Sequence, residues 1–424
     1  METPTSASEL MKEEIKNCLD QPMQLEKLYR QDRKAFQQSF NSLYPEIKGN
    51  PAAEVWNERL NFKEEDILLV NKAHLIFVLI ATFIAGMIAK IPDFSGLDPD
   101  YFFPRNIGLI IFPLLTLFFL WKQTLPVRKW IFPIAWIAIS IVYINFLPNN
   151  PNSDTLNLAC VHLPLVLWAI MGYAYLGNDF QSKQKRIDYL RYNGDLVVMC
   201  AILALSAALF TGITFGLFQL IGINIGEFYA KYVIVFGAPA IPIVGTYLVQ
   251  NNPQLVNRIS PVIARIFTPL VFIMLLFFLA AMVNTAKNPY TDREFLMMFN
   301  ALLIGVMALI VFSITEATKS GVGRVNLLFL CGLALLTIIT NGIALSAIAL
   351  RIAEFGITPN RLAVLGSNLL IFINLLLVSY QLLQVVRNKV SIEKVENNIA
   401  VYLPVYAIWT AVVVYLFPLI FNFL

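Results

Sequence analysis

From His74 onward the apolar residues come in blocks of roughly 20, about the length that crosses a bilayer core as a helix, separated by short polar breaks. The blocks fall near 74–91, 106–121, 130–147, 157–176, 196–221, 229–249, 262–283, 296–315, 326–349, 362–383 and 399–423, eleven in all. No ten-residue alternation of a barrel strand is visible, and backbone groups in lipid need partners within their own segment, so the pattern predicts α-helical spans. A span missed or merged in the long run from Leu196 to Ile221 would change the parity of the count.

Residues 1–72 obey a different pattern. Leu25, Leu28, Tyr29, Phe36, Phe40 and Leu43 recur at helical spacing, and Tyr44-Pro45 with Lys48-Gly49 ends the run. A second short helix is expected from Asn50-Pro51, an N-cap followed by proline at the first helical position, burying Val55, Trp56 and Leu60. The fold class is therefore all-α, a polytopic transmembrane helical bundle of about eleven spans over 73–424 with a small soluble helical cap over 1–72.

Composition agrees with the periodicity. Hydrophobic residues make up 58% and charged residues only 14%, against about 25% charged in a soluble chain, and mean hydropathy is +0.68. The four cysteines contain no CxxC pair, so neither a disulfide framework nor a zinc site is indicated, and no metal or other cofactor is expected. The arm holds 13 acidic and 10 basic residues and the remainder 14 and 21, so the arm is no polybasic lipid anchor. No basic stripe with interleaved aromatics points to nucleic acid. Without a charged start and apolar h-region, the first span acts as its own insertion signal and the N-terminus stays cytoplasmic. Lys and Arg support this orientation, fourteen at inner positions against seven at outer ones, and an odd span count leaves Leu424 outside.

Charge inside the spans is scarce, because the middle of every predicted span lacks Asp, Glu, Lys and Arg. That argues against ion coupling through mid-membrane charges. His162 reads as a hydrogen-bonded interfacial histidine. Asn341, Asn368 and Asn374 are intramembrane polar groups suited to helix-helix hydrogen bonds. In the sixth span Gly237, Pro239, Pro242 and Gly245 interrupt the run, which predicts either a kink or a broken helix lining a cavity.

Charges of both signs gather instead in three outer segments. In "ALRIAEFGITPNRL", residues 349–362, Gly356 is placed to end one helix in the left-handed conformation, and Thr358-Pro359 supplies the next N-cap and N1. Arg351 and Glu354 can pair at i,i+3, and Glu354 is the nearest carboxylate for Arg361. A capping box, Thr291 to Glu294, opens the eighth span beside Arg293, and the first outer segment adds Asp93, Asp98, Asp100 and Arg105. Arg351, Glu354, Arg361, Arg293, Asp98, Asp100 and Arg105 are thus candidates for an outer vestibule; the competing expectation is interfacial ion pairs that fix helix ends.

The string Arg351-Ile-Ala-Glu354-Phe-Gly356-Ile-Thr358-Pro359-Asn360-Arg361, with Asn368 and Asn374 downstream, resembles a segment of a bacterial multi-spanning membrane family catalogued as domain of unknown function 4153. The resemblance covers mainly the membrane body. It implies a polytopic helical protein of the bacterial inner membrane and carries no activity. No HExxH, GxSxG, P-loop or GxGxxG is present. A transporter-, permease- or flippase-like role for a small or lipidic solute is expected, with membrane lipids as partners. Two alternatives are an outer-face, lipid-linked glycosyltransferase-like enzyme using the first-loop aspartates Asp93, Asp98 and Asp100, and a non-catalytic scaffold or regulator that binds a cytoplasmic protein through residues 1–72.

Overall fold

The computed structural model describes residues 4–61, 72–220, 222–284, 290, 292–320 and 323–424. All regular structure among them is helical, and the chain divides into two compact units, Met1–Lys72 and Ala73–Leu424.

The described residues of the first unit form four helices: α1 (Pro4–Asn17), α2 (Pro22–Gln31), α3 (Arg33–Ile47) and α4 (Pro51–Asn61). The apolar run predicted as one helix is broken at Asp32, whose Oδ1 accepts from Ala35 N at 3.0 Å and starts α3. Asn50 caps α4 as its Asn-Pro signal predicts, with Oδ1 2.8 Å from Ala52 N. Ile15, Leu25, Phe36, Phe40 and Trp56 are buried, and Tyr29 meets Phe36 and Trp56 edge-on at 5.7 and 5.4 Å. Val55, expected inside, is 66% exposed, because Ala53 and Trp56 fill the face of α4 that turns inward.

The second unit begins with α5 (Lys72–Ala89) and the short α6 (Ile91–Ser95). It continues with α7 (Pro99–Lys122), α8 (Ile131–Phe146), α9 (Asp154–Leu176), α10 (Lys183–Leu220) and α11 (Gly226–Asn251). The last five helices are α12 (Pro253–Asn284), α13 (Arg293–Ser320), α14 (Arg324–Phe355), α15 (Pro359–Val386) and α16 (Glu393–Ile420). Among the described residues ten helices, α7 to α16, are long and apolar enough to cross a membrane, and Ala73–Ala89 of α5 is a shorter apolar helix. Their outer surfaces carry large apolar side chains, Leu205 at 72% and Leu209 at 68% exposed among them, which only a lipid environment accommodates. The chain is a polytopic helical membrane protein.

The long run at Leu196 belongs to one helix, α10, whose 38 residues span about 57 Å at 1.5 Å per residue. That exceeds the roughly 30 Å hydrocarbon core, so its first three turns, with Lys183, Arg186, Asp188 and Arg191, extend past the apolar slab. With the shorter α5 set beside the ten, eleven apolar helices are described, and Leu424 O accepts from Thr155 N at 2.8 Å, which puts Leu424 at the α8–α9 turn, on the face opposite the start of α5. The face where α5 and α10 begin is called the basic face below.

Helices α5, α7, α9, α10 and α11 share one buried core around Phe118, Phe119, Met171 and Tyr192. Helices α12 to α16 share another around Ile310, Leu333, Leu375 and Leu382. The sixth predicted span, α11, is not broken. A π-helical turn, Tyr229–Ile234, absorbs the irregularity, and an unbroken α-helix, Val235–Asn251, runs through Pro239 and Pro242. Gly237 faces open space, whereas a Cβ at Gly245 would lie 3.1 Å from Leu196 Cδ1, so that glycine lets α10 approach α11 closely.

Candidate functional site

The residues expected to form an outer vestibule end up in separate places. Asp98, Asp100 and Arg105 stand at the start of α7, which packs on α8, α9 and α11. Arg351, Glu354 and Arg361 stand at the α14–α15 turn, next to which Leu362 and Ala363 pack with Val413 and Phe417 of α16 and Leu158 of α9. The side chain of Arg293, and Thr291 with the side chain of Glu294, lie outside the described residues. Asp292 caps that helix instead, its Oδ1 3.0 Å from Phe295 N.

Most of these groups serve helix ends. Asp98 Oδ1 accepts from Asp100 N at 3.0 Å as the N-cap of α7, and Asp93 pairs with Lys90, whose Nζ also donates to Lys231 O at 2.7 Å. Among the described residues no group of three or more His, Cys, Asp or Glu side chains is placed to hold a metal. Arg105, 3% exposed, reaches from α7 to the C-terminus of α8, donating to Ile144 O at 2.7 Å, Leu147 O at 3.4 Å and Asn149 Oδ1 at 3.2 Å. Arg361 does the same between α15 and α14, with Nη1 2.8 Å from both Phe355 O and Gly356 O. A guanidinium on the last carbonyls of a neighbouring helix meets both their hydrogen-bonding need and the negative end of the helix dipole. The pairs expected between Glu354 and Arg351 or Arg361 do not form: Glu354 is exposed and has no ion pair among the described residues. Gly356 has φ 76° and ψ 179°, an extended conformation with positive φ open essentially only to glycine, rather than the left-handed helical one expected. Thr358 caps α15 through Arg361 N, with Pro359 in the first turn.

The intramembrane asparagines join helices as read. Asn341 Nδ2 donates to Asn368 O at 3.2 Å, Asn368 Nδ2 to Asn300 Oδ1 at 2.8 Å, and Asn374 Nδ2 to Tyr406 Oη at 3.0 Å, tying α14, α13 and α16 to α15. His162 Nδ1 lies 2.9 Å from Leu158 O within its own helix.

Toward the basic face lies an ionic network that the sequence did not announce. Arg191 pairs with Glu396 at 2.6 Å and Asp188 at 3.1 Å and donates to Thr315 O, which joins α10, α13 and α16. Nearby, Ser260 donates to the buried Asp195 at 2.6 Å, and a cavity of about 30 Å³, room for a water, is lined by Arg265, Thr268, Ser313 and Glu316. These charges cluster at helix ends, so the apolar middle of each predicted span concealed them.

The site best shaped to receive a molecule is a groove of about 610 Å³ between α8, α9 and α16. Small-molecule sites run from about 300 to 1,000 Å³. Phe132 and Trp136 form one wall, Trp168 to Leu176 the base, and Leu403 to Ala411 the other wall. At the end away from the basic face Tyr415 closes the space, its ring 5.8 Å from Trp136 and its hydroxyl 2.7 Å from Ser140 Oγ. A second π-helical turn, Val412–Leu416, carries Tyr415. Two of the polar groups of the lining are spent on protein: Tyr189 Oη donates to Trp168 O at 2.6 Å and Trp168 Nε1 to Asn193 Oδ1 at 2.8 Å. The groove therefore presents apolar and aromatic surface, and Phe132, Trp136 and Ile408 stay exposed on its rim.

Among the described residues, one charged side chain borders it. Arg186, at the basic-face mouth with Phe180, donates to Ala400 O and Phe180 O, each at 3.2 Å. The first contact has a local cause, since Pro404 has no N–H to give the carbonyl four residues before it, which is Ala400. Beside the mouth, Lys185 pairs with Asp179 at 2.6 Å and holds that carboxyl below its ordinary range. Aromatic residues in the outer third of spans also form ordinary membrane-interface belts, so the lining residues carried no distinct sequence signal. The Pro404 to Ala400 offset was the one legible hint that a donor must approach α16. Compared with family models, curated proteins and solved structures, the chain matches none.

Proposed function

We propose that the protein is a lipid-handling membrane protein of the transporter, permease or flippase type, and that the α8–α9–α16 groove takes the apolar part of a lipidic solute. The observation that carries this reading is the groove itself: about 610 Å³, aromatic-lined, rimmed by exposed apolar side chains and closed at one end by Tyr415. An acyl chain gains by leaving neither water nor polar atoms against it, and the lining offers none unpaired at Trp168 or Tyr189. The excess of Lys and Arg on one face supports a cytoplasmic N-terminus, with the groove opening toward the inner leaflet. The resemblance around Arg351 to Arg361 supports a place in the bacterial inner membrane among the family of domain of unknown function 4153. The capping role of Asp98 and the pairing of Asp93 with Lys90 weigh against the glycosyltransferase-like alternative. For a docking role of the first unit, the exposed Met23 and Val55 are the supporting observation.

Proteoliposomes containing a dithionite-quenchable fluorescent phospholipid test the proposal. The protein is expected to speed exchange between leaflets relative to protein-free vesicles, and Ala169→Trp or Ala407→Trp, which fill the groove, to abolish the effect in protein that remains folded. Exchange no faster than in empty vesicles, or unchanged in both filled variants, overturns it.

A further inference from the structure

We infer that the groove selects an anionic phospholipid, whose phosphate sits at the Arg186 guanidinium while an acyl chain lies along Trp168, Tyr173 and Ile408. This rests on the lipid-handling reading and adds the headgroup to it.

Three observations converge on Arg186. It is half-buried at the mouth, and among the described residues it is the one charged side chain lining an otherwise apolar groove. Its two hydrogen bonds go to carbonyl oxygens at 3.2 Å, and no carboxylate pairs with it among the described residues, so its positive charge is uncompensated by protein. A guanidinium carries five N–H donors in a planar fork suited to phosphate, and two contacts leave donors to spare.

The surroundings have the same sign. Lys183 lies one turn before Arg186, and Lys129 donates to the neutral Asn178 Oδ1 at 2.6 Å while its charge also acts on Asp179. Lys185 is the neighbour that a carboxylate neutralises, through Asp179. The mouth also lies at the first turn of α10, where the helix dipole favours an anion, while Ser182 Oγ takes the Lys185 N–H at 3.3 Å. An amphiphile with an anionic head at Arg186 and a chain in the groove satisfies both halves of the site. A zwitterionic lipid satisfies the apolar half, and its ammonium group meets the basic mouth unfavourably.

One basic residue at an anionic lipid surface contributes a preference of about fivefold. Native mass spectrometry of the full-length protein in detergent, titrated with phosphatidylglycerol or phosphatidylcholine of identical chains, reads that ratio. The wild type is expected to bind phosphatidylglycerol about fivefold more tightly at one site. Arg186→Gln should bring the ratio to about one while phosphatidylcholine affinity holds, Arg186→Lys should keep part of the preference, and Ala407→Trp should remove the site for both lipids. If Arg186→Gln does not fold, the wild-type ratio with Arg186→Lys and Ala407→Trp still decides. Equal affinities in the wild type, or a preference that Arg186→Gln leaves intact, would overturn the headgroup assignment and leave the groove standing. Binding of both lipids unaffected by Ala407→Trp would remove the groove reading itself.

Discussion

Replacing Arg105 by methionine keeps the length and apolar stem of the side chain and removes its donors, so it isolates what the guanidinium does at the α7–α8 seam. Two of its bonds are well formed, to Ile144 O at 2.7 Å and Asn149 Oδ1 at 3.2 Å, and the third, to Leu147 O at 3.4 Å, is marginal. A hydrogen bond to a charged donor contributes about 1.5–3 kcal/mol, and the Tyr101 ring 4.4 Å from the guanidinium adds about 0.5–1 kcal/mol. The freed carbonyls regain some solvent at a helix end, which leaves an expected loss of about 3 kcal/mol. Cys160, buried on α9 in the same cluster as Ile144 and Leu147, reports the opening of this seam. At about 1.4 kcal/mol per tenfold, its alkylation should accelerate roughly 100-fold in Arg105→Met, with peptide mapping separating it from the other cysteines. Arg361→Met removes two contacts of 2.8 Å at an exposed turn, where solvent replaces them for about 1 kcal/mol, and should leave Cys160 almost unchanged. A vestibule predicts the reverse, lost lipid or solute movement with normal stability in both variants. Less than threefold acceleration in Arg105→Met would refute the helix-end role of this buried arginine.

Asp98→Asn keeps an N-cap and should leave folding and lipid movement unaltered, whereas Asp98→Ala should cost about 0.5–2 kcal/mol in a detergent-unfolding titration; loss of activity in a stable Asp98→Asn would instead favour carboxylate chemistry. Asn368→Leu leaves the Asn300 amide oxygen without its donor and should lower resistance to unfolding in mixed micelles by about 0.6–2 kcal/mol, with no change expected if the ladder is incidental. Glu26 is held below its ordinary carboxylate value by hydrogen bonds from Arg30 and then Arg59. Its folded value is depressed, so its contribution to the first unit is present above the unfolded value and fades as pH falls through the folded one. NMR titration of the selectively labelled carboxyl should show the midpoint rising in Arg59→Gln, and an unmoved midpoint would contradict the pairing.

The layout of the second unit was legible because lipid imposes it. Where hydrocarbon excludes charge, run length alone marks a helix, and the α10 run stayed one element because nothing between Leu196 and Leu220 favours a turn. Caps were legible for an equally local reason: Asn50-Pro51 and Thr358-Pro359 act on backbone groups within three residues. Partners across the fold were not. Glu354 looked like the counterion of Arg361 by proximity in sequence, yet the carbonyls of Phe355 and Gly356 lie nearer to the guanidinium and carry the negative end of α14. Pro239 and Pro242 read as either a kink or a break in α11; the helix runs on through both, with the π-helical turn Tyr229–Ile234 before them and Thr246 donating to Pro242 O at 2.8 Å. The groove was hidden most completely, since Trp136, Trp168 and Tyr415 come together from three separated helices and each resembles an ordinary interfacial aromatic.

Photo-crosslinking decides most directly whether this groove receives a lipid chain. With the protein in nanodiscs containing a trace of phospholipid bearing a diazirine in its acyl chain, crosslinks should concentrate on Trp136, Ala169, Tyr173 and Ile408, well above Leu205 and Leu209, which are also open to lipid on α10. Even labelling across both sets would mean that Trp136 to Ile408 is no more than bilayer-facing surface.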